Sequence, residues 1–321
     1  MIDPSRRSVR TIELENDWLK ASLLPEVGAK IYDLIWKARG RNLLWHNPRI
    51  APQAYSVEGS FDNYWCGGWD DCFPTCDACE FQGEQYPNLG EFRSLSWTIE
   101  SQSCTAATLS AFGPISPVRA EKSVVLDTTQ PLLRMSYRVR NLGPLALNFI
   151  WGTHPALQPY GEMILRIPAK TGIVGEASAP RFGAPGQRYA WPILTTGHSE
   201  EDMSRVRGRE VGAYCGHYAT DLEAGWYAVE DVISGDGFLV RFPADVCPYL
   251  WLWLAYGGYR GHHHIIIEPW TSYPVNLADA VRRDTSRRLA PGETFAVELC
   301  ATVYAKPETW RDALGRISDA G

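Results

Sequence analysis

Short runs of β-branched and aromatic residues dominate this sequence and limit the folds open to it. The clearest runs are LLRMSYRVRN (132–141), YLWLWLAY (249–256) and FAVELCATVY (295–304), whose composition favours strands. Gly, Pro and Asn interrupt the chain between such runs at short intervals. Many short strands separated by turn residues are typical of an antiparallel sandwich. We therefore predict an all-β fold.

Helical patterns are sparse in this chain. The clearest is a C-terminal helix at about 307–319, which begins with a proline and places apolar residues on one face. A second short helix is predicted at 276–283. The span 170–225 is predicted to be a long surface loop that rims a site. No linker divides the chain, so we expect a single domain over residues 1–321.

Composition and charge exclude several classes of function. The 321 residues are 45% hydrophobic and 21% charged, which is ordinary for a globular protein. The formal net charge is −6 and no basic run exceeds two residues, so we expect no nucleic-acid partner. The sequence has neither an apolar secretory h-region nor an apolar run of 18 residues, so we expect a cytoplasmic protein with no membrane partner.

The eight cysteines raise the question of disulfides or zinc. In a chain large enough to bury a core, and without a secretory signal, we expect reduced and buried thiols. Cys76 and Cys79 have the spacing of a zinc-binding loop. Cys66 and Cys72 are too widely spaced to complete a zinc ribbon, so structural zinc is the less favoured alternative.

The segment GHHHIIIEPW (261–270) suggests a metal site. On a strand, His262, His264 and Glu268 share one face, and His-x-His-x3-Glu is the ligand spacing of a cupin-type metal site. Such a site needs a further histidine from a later strand, and no histidine follows His264. We therefore expect no metal, with the histidine triplet entering the strand from a turn. A missing ligand would have to come from His154, His198 or His217.

Four segments in order carry a resemblance to a known family. They are LPEVGAKIYDLIW with RNLLW, GGWDDCFPTC with YPNLGEFRSLSWTI, WGTHPALQP, and IIIEPWTSYP with LAPGETFAVELCATVY. The succession, from about residue 10 to 304, resembles the aldose 1-epimerase, or galactose mutarotase-like, superfamily, and its second segment is similar to the glucose-6-phosphate 1-epimerase branch. The resemblance implies a large antiparallel β-supersandwich and the interconversion of α and β anomers of a sugar, without cofactor or metal.

The reaction implied by the resemblance needs two proton-transfer groups. Opening the sugar ring requires a base for the C1 hydroxyl proton and an acid for the ring oxygen. By resemblance, Glu268 in IIIEPW is the base and His154 in WGTHPAL is the acid. A glutamate at the end of an apolar strand is readily desolvated, which raises its pKa, and a histidine titrates near neutrality.

The resemblance also implies residues that bind the sugar. Arg93 matches an arginine of the phosphosugar branch and could hold a hydroxyl, carboxylate or phosphate. Leu89 stands where the family usually carries a histidine, which leaves three alternatives open: an altered substrate, a compensating residue such as Asn88 or His262, or lost activity. The other candidates are rings that could stack on a pyranose and a carboxylate that could accept its hydroxyls, namely Trp69, Asp71, Trp151 and Trp270.

Three functions remain open from the sequence. We favour an isomerase of the aldose 1-epimerase type that acts on a free or acidic sugar as a monomer or homodimer. Leu89 favours a non-catalytic carbohydrate-binding protein on the same fold. The spacing of His262, His264 and Glu268 favours a metal-dependent sugar isomerase. No motif identifies the sugar.

Overall fold

The computed structural model describes residues 9–197 and 199–319, and these form 25 strands and three α-helices. The strands in the first part of the chain are β1 Ile12–Glu15, β2 Leu19–Leu24, β3 Lys30–Trp36, β4 Arg41–Asn42, β5 Trp69–Cys72, β6 Cys79–Phe81, β7 Glu84–Tyr86, β8 Thr98–Gln102, β9 Ala106–Phe112, β10 Val118–Leu126, β11 Leu132–Asn141 and β12 Leu147–Phe149. Those that follow are β13 Gly152–Leu157, β14 Met163–Arg166, β15 Ala169–Ala177, β16 Arg188–Ala190, β17 Ile193–Thr195, β18 Glu200–Asp202, β19 Ala213–Leu222, β20 Trp226–Asp231, β21 Gly237–Arg241, β22 Tyr249–Tyr256, β23 His263–Trp270, β24 Arg287–Leu289 and β25 Thr294–Tyr304. The α-helices are α1 Phe61–Tyr64, α2 Leu277–Arg282 and α3 Trp310–Asp319.

Two large antiparallel sheets contain most of these strands. The first has 11 strands in the order β1-β2-β3-β5-β13-β23-β22-β19-β15-β16, with β4 attached to β3. The second has eight strands in the order β14-β20-β21-β25-β11-β10-β9-β8. The smaller pairs are β6-β7, β12-β24 and β17-β18. The described part of the chain is therefore an all-β sandwich, which confirms the predicted fold class.

The main core lies between the two sheets. In β25 the burial alternates along most of the strand, because successive side chains point to opposite faces. The inward side chains of the eight-stranded sheet meet those of the 11-stranded sheet. For example, Trp69 from β5 packs edge-on against Phe238 of β21. A buried ion pair also joins the sheets, since Lys122 Nζ of β10 lies 2.5 Å from Asp71 Oδ2 of β5.

A second core covers the other face of the 11-stranded sheet. Its centre is aromatic, and chain segments that cross this face, including α1 and α2, close over it. The central strands of this sheet are consequently buried on both faces, as the pattern of β5 shows with all four residues buried. This second core includes Trp45, Phe61, Trp65, Cys72, Cys76, Leu89, Trp251, Ile266 and Trp270.

The structure confirms the C-terminal helix but corrects the reading of the span 170–225. Helix α3 begins at Trp310, three residues beyond Pro307, and its Ala313 and Ile317 are buried against the second sheet. The span predicted as loop contains β16, β17 and β18, most of β15, and all of β19, which lies inside the 11-stranded sheet. Its strands are rich in Gly, Ala and Thr, so no alternating apolar pattern marks them. None of the described helices is long and apolar enough to cross a lipid bilayer.

Candidate functional site

Glu268 and His154 lie on neighbouring strands at the centre of the large sheet. Strand β13 pairs with β23 so that Gly152 is opposite Trp270 and Ala156 is opposite Ile266. This register places His154 beside Glu268 on the same face. The Nε2 atom of His154 is 3.9 Å from Oε1 of Glu268. The two residues predicted as acid and base, 114 positions apart in the chain, are thus brought together by sheet register.

Glu268 is a buried carboxylate with little compensation for its charge. Its side chain is 1% exposed, and Oε2 accepts a hydrogen bond of 2.9 Å from Nε1 of Trp270. Burial raises the pKa of Glu268 well above its usual value, and the Trp270 hydrogen bond opposes that rise only in part. Burial therefore favours the protonated form of this group, which becomes a strong base when it ionises.

His154 is also buried, which favours its neutral form. Burial lowers the pKa of His154 to about 4, while the carboxylate of Asp70 acts in the opposite direction. Asp70 is directly opposite His154 in the register of β5 and β13. Nδ1 of His154 has no hydrogen-bond partner in the structure. The imidazole thus has an unsatisfied polar atom, as is common where a substrate supplies the missing partner.

A cavity of about 270 Å³ opens onto this pair. The size is close to the lower end of the range for small-molecule sites, roughly 300–1,000 Å³. Its walls combine aromatic rings with carboxylates, a composition suited to a polyhydroxylated ring with apolar faces. The lining residues are Phe61, Asp62, Cys76, Asp77, Asn88, Leu89, His154, Glu176, Tyr214, Trp251, Trp253, Tyr259 and Glu268.

The charged groups of the cavity are acidic. Asp77 and Glu176 line it together with Glu268, and no lysine or arginine is among the lining residues in the part of the chain that the structure describes. Desolvation by the cavity wall raises the pKa of Asp77 to about 6, and the nearby Glu176 adds to the shift. Oε1 of Glu176 accepts a hydrogen bond of 3.1 Å from Nε1 of Trp253, which fixes both side chains.

At the rim of the cavity, the carboxylate of Asp62 is paired with Arg260 and Tyr259. Tyr259 donates a hydrogen bond from its hydroxyl to Asp62, and Nη2 of Arg260 lies 3.5 Å from the same carboxylate. Nη1 of Arg260 also donates to the backbone carbonyl of Asp62 at 2.8 Å. These contacts hold α1, which begins at Phe61, against the loop before β23. Arg260 is therefore engaged in positioning the rim.

The histidine triplet borders the cavity in an aromatic cluster. His264 is fully buried and its ring lies 4.8 Å from Trp45 and 5.1 Å from Trp65. The ring of His262 lies 4.9 Å from Trp45 and 5.9 Å from His264. Neither ring nitrogen of His262 or of His264 has a hydrogen-bond partner. His262 thus lies next to the cavity wall rather than in it, in a cluster with unsatisfied donors and acceptors.

The structure brings together a different set of potential metal ligands from the two sets considered in the sequence, which were the histidine triplet with Glu268 and the Cys76–Cys79 pair. Among the described residues, one group of three His, Cys, Asp or Glu side chains has ligand atoms within 4.8 Å of one another. It consists of Cys72, Cys76 and Glu268, and includes neither His262 nor His264. Cys79, which has the zinc-like spacing from Cys76, is also outside it.

Three of the residues expected to bind sugar face away from the cavity, which corrects the sequence interpretation. Trp69 and Asp71 point into the core between the sheets, where they contact Phe238 and Lys122. Trp151 packs in the same core, with its ring 5.6 Å from that of Tyr137. In β5 the residue on the cavity side is Asp70, whose carboxylate is 3.1 Å from Nζ of Lys30, and not its neighbour Asp71.

Arg93 lies beside the cavity but outside its lining, and its Nη1 atom is buried without a hydrogen-bond partner. Its side chain is buried, and its Nη2 donates to the backbone carbonyls of Gly59 at 2.9 Å and Val57 at 3.2 Å. Its Nε donates to the backbone carbonyl of Asn88. The guanidinium therefore holds two loops together behind the cavity, and Arg93 is absent from the lining.

The remaining predicted residues lie at the cavity or support it. Asn88 lines it, next to Leu89, which also lines it with a positive φ of 60°. Trp270 lies behind Glu268 and donates the hydrogen bond that orients its carboxylate. Gly152 permits this arrangement, because a Cβ there would lie 2.3 Å from the Trp270 ring.

Several wall residues were missed by sequence reasoning. Glu176 and Tyr214 come from the span 170–225, which was predicted to be loop, although its predicted position near a site is consistent with their location. Trp251 is opposite Glu268 in the register of β22 and β23, and Trp253 is two residues further along the same face. The run YLWLWLAY could have revealed the two tryptophans. Alternate residues of a strand lie on one face, so Trp251 and Trp253 share a face, and pairing with the next strand places that face beside Glu268.

The fold is that of the galactose mutarotase-like β-sandwich proteins. The Slr1438 protein from Synechocystis sp. PCC 6803 superposes with a TM-score of 0.70 at 17% identity, over 95% of this chain and 99% of that one. A galactose mutarotase-like protein from Lactobacillus casei ATCC 334 superposes with a TM-score of 0.66 at 16% identity, over 92% and 100%. A protein from Escherichia coli K12, provisionally named an aldose 1-epimerase, gives 0.69 at 15% identity, over 93% and 100%. No family model matches the sequence.

Proposed function

We propose that this protein is an isomerase of the aldose 1-epimerase type, with Glu268 as base and His154 as acid. The observation that carries the proposal is the buried pair itself, with Nε2 of His154 3.9 Å from Oε1 of Glu268 at the floor of a sugar-sized cavity. Perturbed titratable groups that face each other in a cleft mark candidate catalytic sites. The fold shared with mutarotase-like proteins agrees with this assignment.

The two groups suffice for ring opening and closure. Glu268 removes the proton from the C1 hydroxyl while His154 delivers a proton to the ring oxygen, and the bond between C1 and that oxygen breaks. The product is the open-chain aldehyde. Rotation about the bond between C1 and C2 exposes the other face of the carbonyl. Ring closure with the reverse proton transfers gives the other anomer and restores both groups.

The protonation states of the pair fit this exchange. Burial favours a protonated Glu268 and a neutral His154. Transfer of that one proton to His154 yields the carboxylate and imidazolium that the reaction requires, and each charge stabilises the other. The pair is then expected to titrate as a unit, with apparent pKa values that belong to both groups.

We further propose that the substrate is a neutral or amino sugar. Asp77, Glu176 and Glu268 surround the cavity without a lining lysine or arginine among the described residues. A substrate anion about 5 Å from one ionised carboxylate would be repelled by about 3 kcal/mol at an effective dielectric constant of about 20. Arg93, which suggested a phosphate or carboxylate, is not a lining residue and donates to the backbone carbonyls of Val57, Gly59 and Asn88.

Anomer exchange measured by saturation-transfer NMR tests the proposal. The panel contains neutral aldoses, hexosamines, uronic acids and sugar phosphates. We expect the wild type to accelerate exchange of at least one neutral or amino sugar. The variant Glu268→Gln should lower that rate by about 10²–10⁴-fold, the contribution typical of general acid–base catalysis.

A matched control isolates the role of Glu268. Glu298→Gln makes the same chemical change at a side chain that is 60% exposed and is not part of the cavity lining. It should leave anomer exchange unchanged. If no sugar of the panel exchanges faster with the wild type, or if both variants lose activity equally, the assignment is wrong.

A non-catalytic sugar-binding protein is the second candidate. The observation that favours it is Leu89, which places an apolar side chain in the cavity wall. This candidate predicts saturable binding of a sugar, seen as ligand line broadening, at an exchange rate equal to that in buffer.

A further inference from the structure

Two thiols meet the catalytic carboxylate at the floor of the cavity. The Sγ atoms of Cys72 and Cys76 and a carboxylate oxygen of Glu268 all lie within 4.8 Å of one another. The three residues are 0%, 6% and 1% exposed. The acid–base reaction proposed above uses Glu268 alone of these three, so the two thiols have no assigned role.

Regular backbone contacts fix the relative positions of the three side chains. Cys72 ends β5 and pairs with Gly152 of β13, and the ring of Trp270 packs in the space beside that glycine. The backbone N–H of Cys76 donates to the carbonyl of Val275 at 3.0 Å, which ties the loop after β5 to the chain after β23. Glu268 is held within β23 and oriented by Trp270. The group is therefore built on rigid elements, as a binding site requires.

The donor set suits a thiophilic divalent cation. Two thiolates and one carboxylate are ligands that Zn²⁺ accepts, at about 2.3 Å for sulfur and about 2.0–2.2 Å for oxygen. Ligand atoms of a tetrahedral zinc ion are then about 3.3–3.8 Å apart, and the observed limit of 4.8 Å leaves a small inward movement. The hydrogen bond from Trp270 to Glu268 is the kind of outer contact that orients a metal-bound carboxylate.

The position of the group gives an ion both an entry path and an open coordination site. Cys76 and Glu268 line the cavity, whereas Cys72 lies behind them in the outer core. Three protein ligands and a fourth position open to the cavity is the arrangement of an accessible zinc site. An ion there would engage the carboxylate that the reaction requires as a free base.

We propose that Cys72, Cys76 and Glu268 bind one Zn²⁺ ion, and that its binding inhibits the isomerase. Each thiol, and the protonated carboxyl group of Glu268, releases its proton to solvent as it binds the metal. Metal binding stands independently of the proposed function, whereas the inhibition rests on it, because it acts by occupying Glu268.

Cobalt binding tests the site without any assay of activity. Fully reduced protein is titrated with Co²⁺, and the thiolate-to-cobalt charge-transfer band is recorded before displacement by Zn²⁺. We expect one equivalent for the wild type and for Cys104→Ser, which changes an exposed thiol. Cys72→Ala and Cys76→Ala should each lose the band. Trp270→Phe, which removes the outer hydrogen bond together with part of a buried ring, should lower the affinity by roughly 10–100-fold.

The expected and contrary results are distinct for the two parts of the proposal. No band in the reduced wild type, or an unchanged band in both cysteine variants, overturns the metal site. Stoichiometric Zn²⁺ should abolish anomer exchange in the wild type, a chelator should restore it, and Cys72→Ala should resist it. Exchange that persists in the zinc-loaded wild type overturns the inhibition. A protein that binds cobalt but never accelerates exchange would refute the proposed function and leave the metal site standing.

Discussion

Replacing Glu268 by glutamine should lower activity and raise stability. The carboxylate is 1% exposed, receives one hydrogen bond of 2.9 Å from Trp270, and lies 3.9 Å from His154. A buried carboxylate of this kind serves the reaction but lowers the stability of the folded protein. Glutamine has the same shape and no charge to bury, so Glu268→Gln should raise the free energy of unfolding. The activity loss of about 10²–10⁴-fold corresponds to about 2.7–5.4 kcal/mol of transition-state stabilisation.

The stability gain has a pH dependence whose sign follows from the structure. Burial raises the pKa of Glu268 above its usual value of 4.5, so the native state holds this proton more tightly than the unfolded chain does. The contribution of Glu268 to stability is complete below pH 4.5 and is lost as pH rises through the native pKa. Over that window the wild type loses up to about 1.4 kcal/mol per pH unit from this one group. Glutamine does not titrate, so the advantage of the variant should grow with pH.

Urea unfolding at pH 5, 6, 7 and 8 measures this difference directly. Comparing Glu268→Gln with the wild type at each pH cancels the titrations that the two proteins share. Glu298→Gln, at a side chain that is 60% exposed, should show a difference near zero at every pH. A difference for Glu268→Gln that stays flat or shrinks as pH rises would refute the assignment of a strained, desolvated carboxylate.

Three other changes test separate parts of the structure. Trp270→Phe removes the donor that lowers the pKa of Glu268, so the alkaline limb of the rate profile for anomer exchange, where the pair loses its one proton, should move to higher pH; a limb that stays in place contradicts this. Lys122→Met leaves Asp71 buried without its cation and should cost about 3–5 kcal/mol in urea unfolding, much of it recovered when Asp71→Asn is added. Arg93→Lys should lose about 1–3 kcal/mol of stability through its carbonyl contacts, while the ratio of rates for neutral and phosphorylated sugars stays constant.

Sequence patterns were most informative where the residues of a strand either alternate in polarity or form a continuous apolar run. The segments 132–141 and 249–256 are strands with the predicted bounds, the first with mostly alternating burial and the second as a run of aromatic and aliphatic residues. The span 170–225 failed because its strands carry small or polar residues at positions buried by neighbouring strands. Burial there is decided by sheet pairing, which a local pattern does not contain.

In the candidate site, too, some residues could be identified from the sequence and others required knowledge of the strand pairing. His154 and Glu268 were identified by family resemblance, and the structure places them side by side. Trp69 and Asp71 were assigned to the wrong face, because all four residues of β5 are buried and no alternation distinguishes its two faces. The choice between Asp70 and Asp71 depends on the pairing of β5 with β13, where Asp70 is opposite His154.

The buried carboxylates of the described chain provide an independent reason to single out Glu268. Asp70 and Asp71 are paired with buried lysines, and Glu201 lies 2.6 Å from a nitrogen of Arg181. The others have charged or multiple donors, since Glu91 accepts from the backbone of Ile115 and Ser116, Asp231 from Glu162, Ile233 and Ser234, and Asp236 from Arg39. Glu268 has one neutral donor and a histidine at 3.9 Å. The fold stabilises its other buried carboxylates with cations or with several hydrogen-bond donors. It leaves Glu268 facing a cavity with its pKa raised, so the free-energy cost of burying a carboxylate falls on the residue that the proposed reaction uses to exchange a proton.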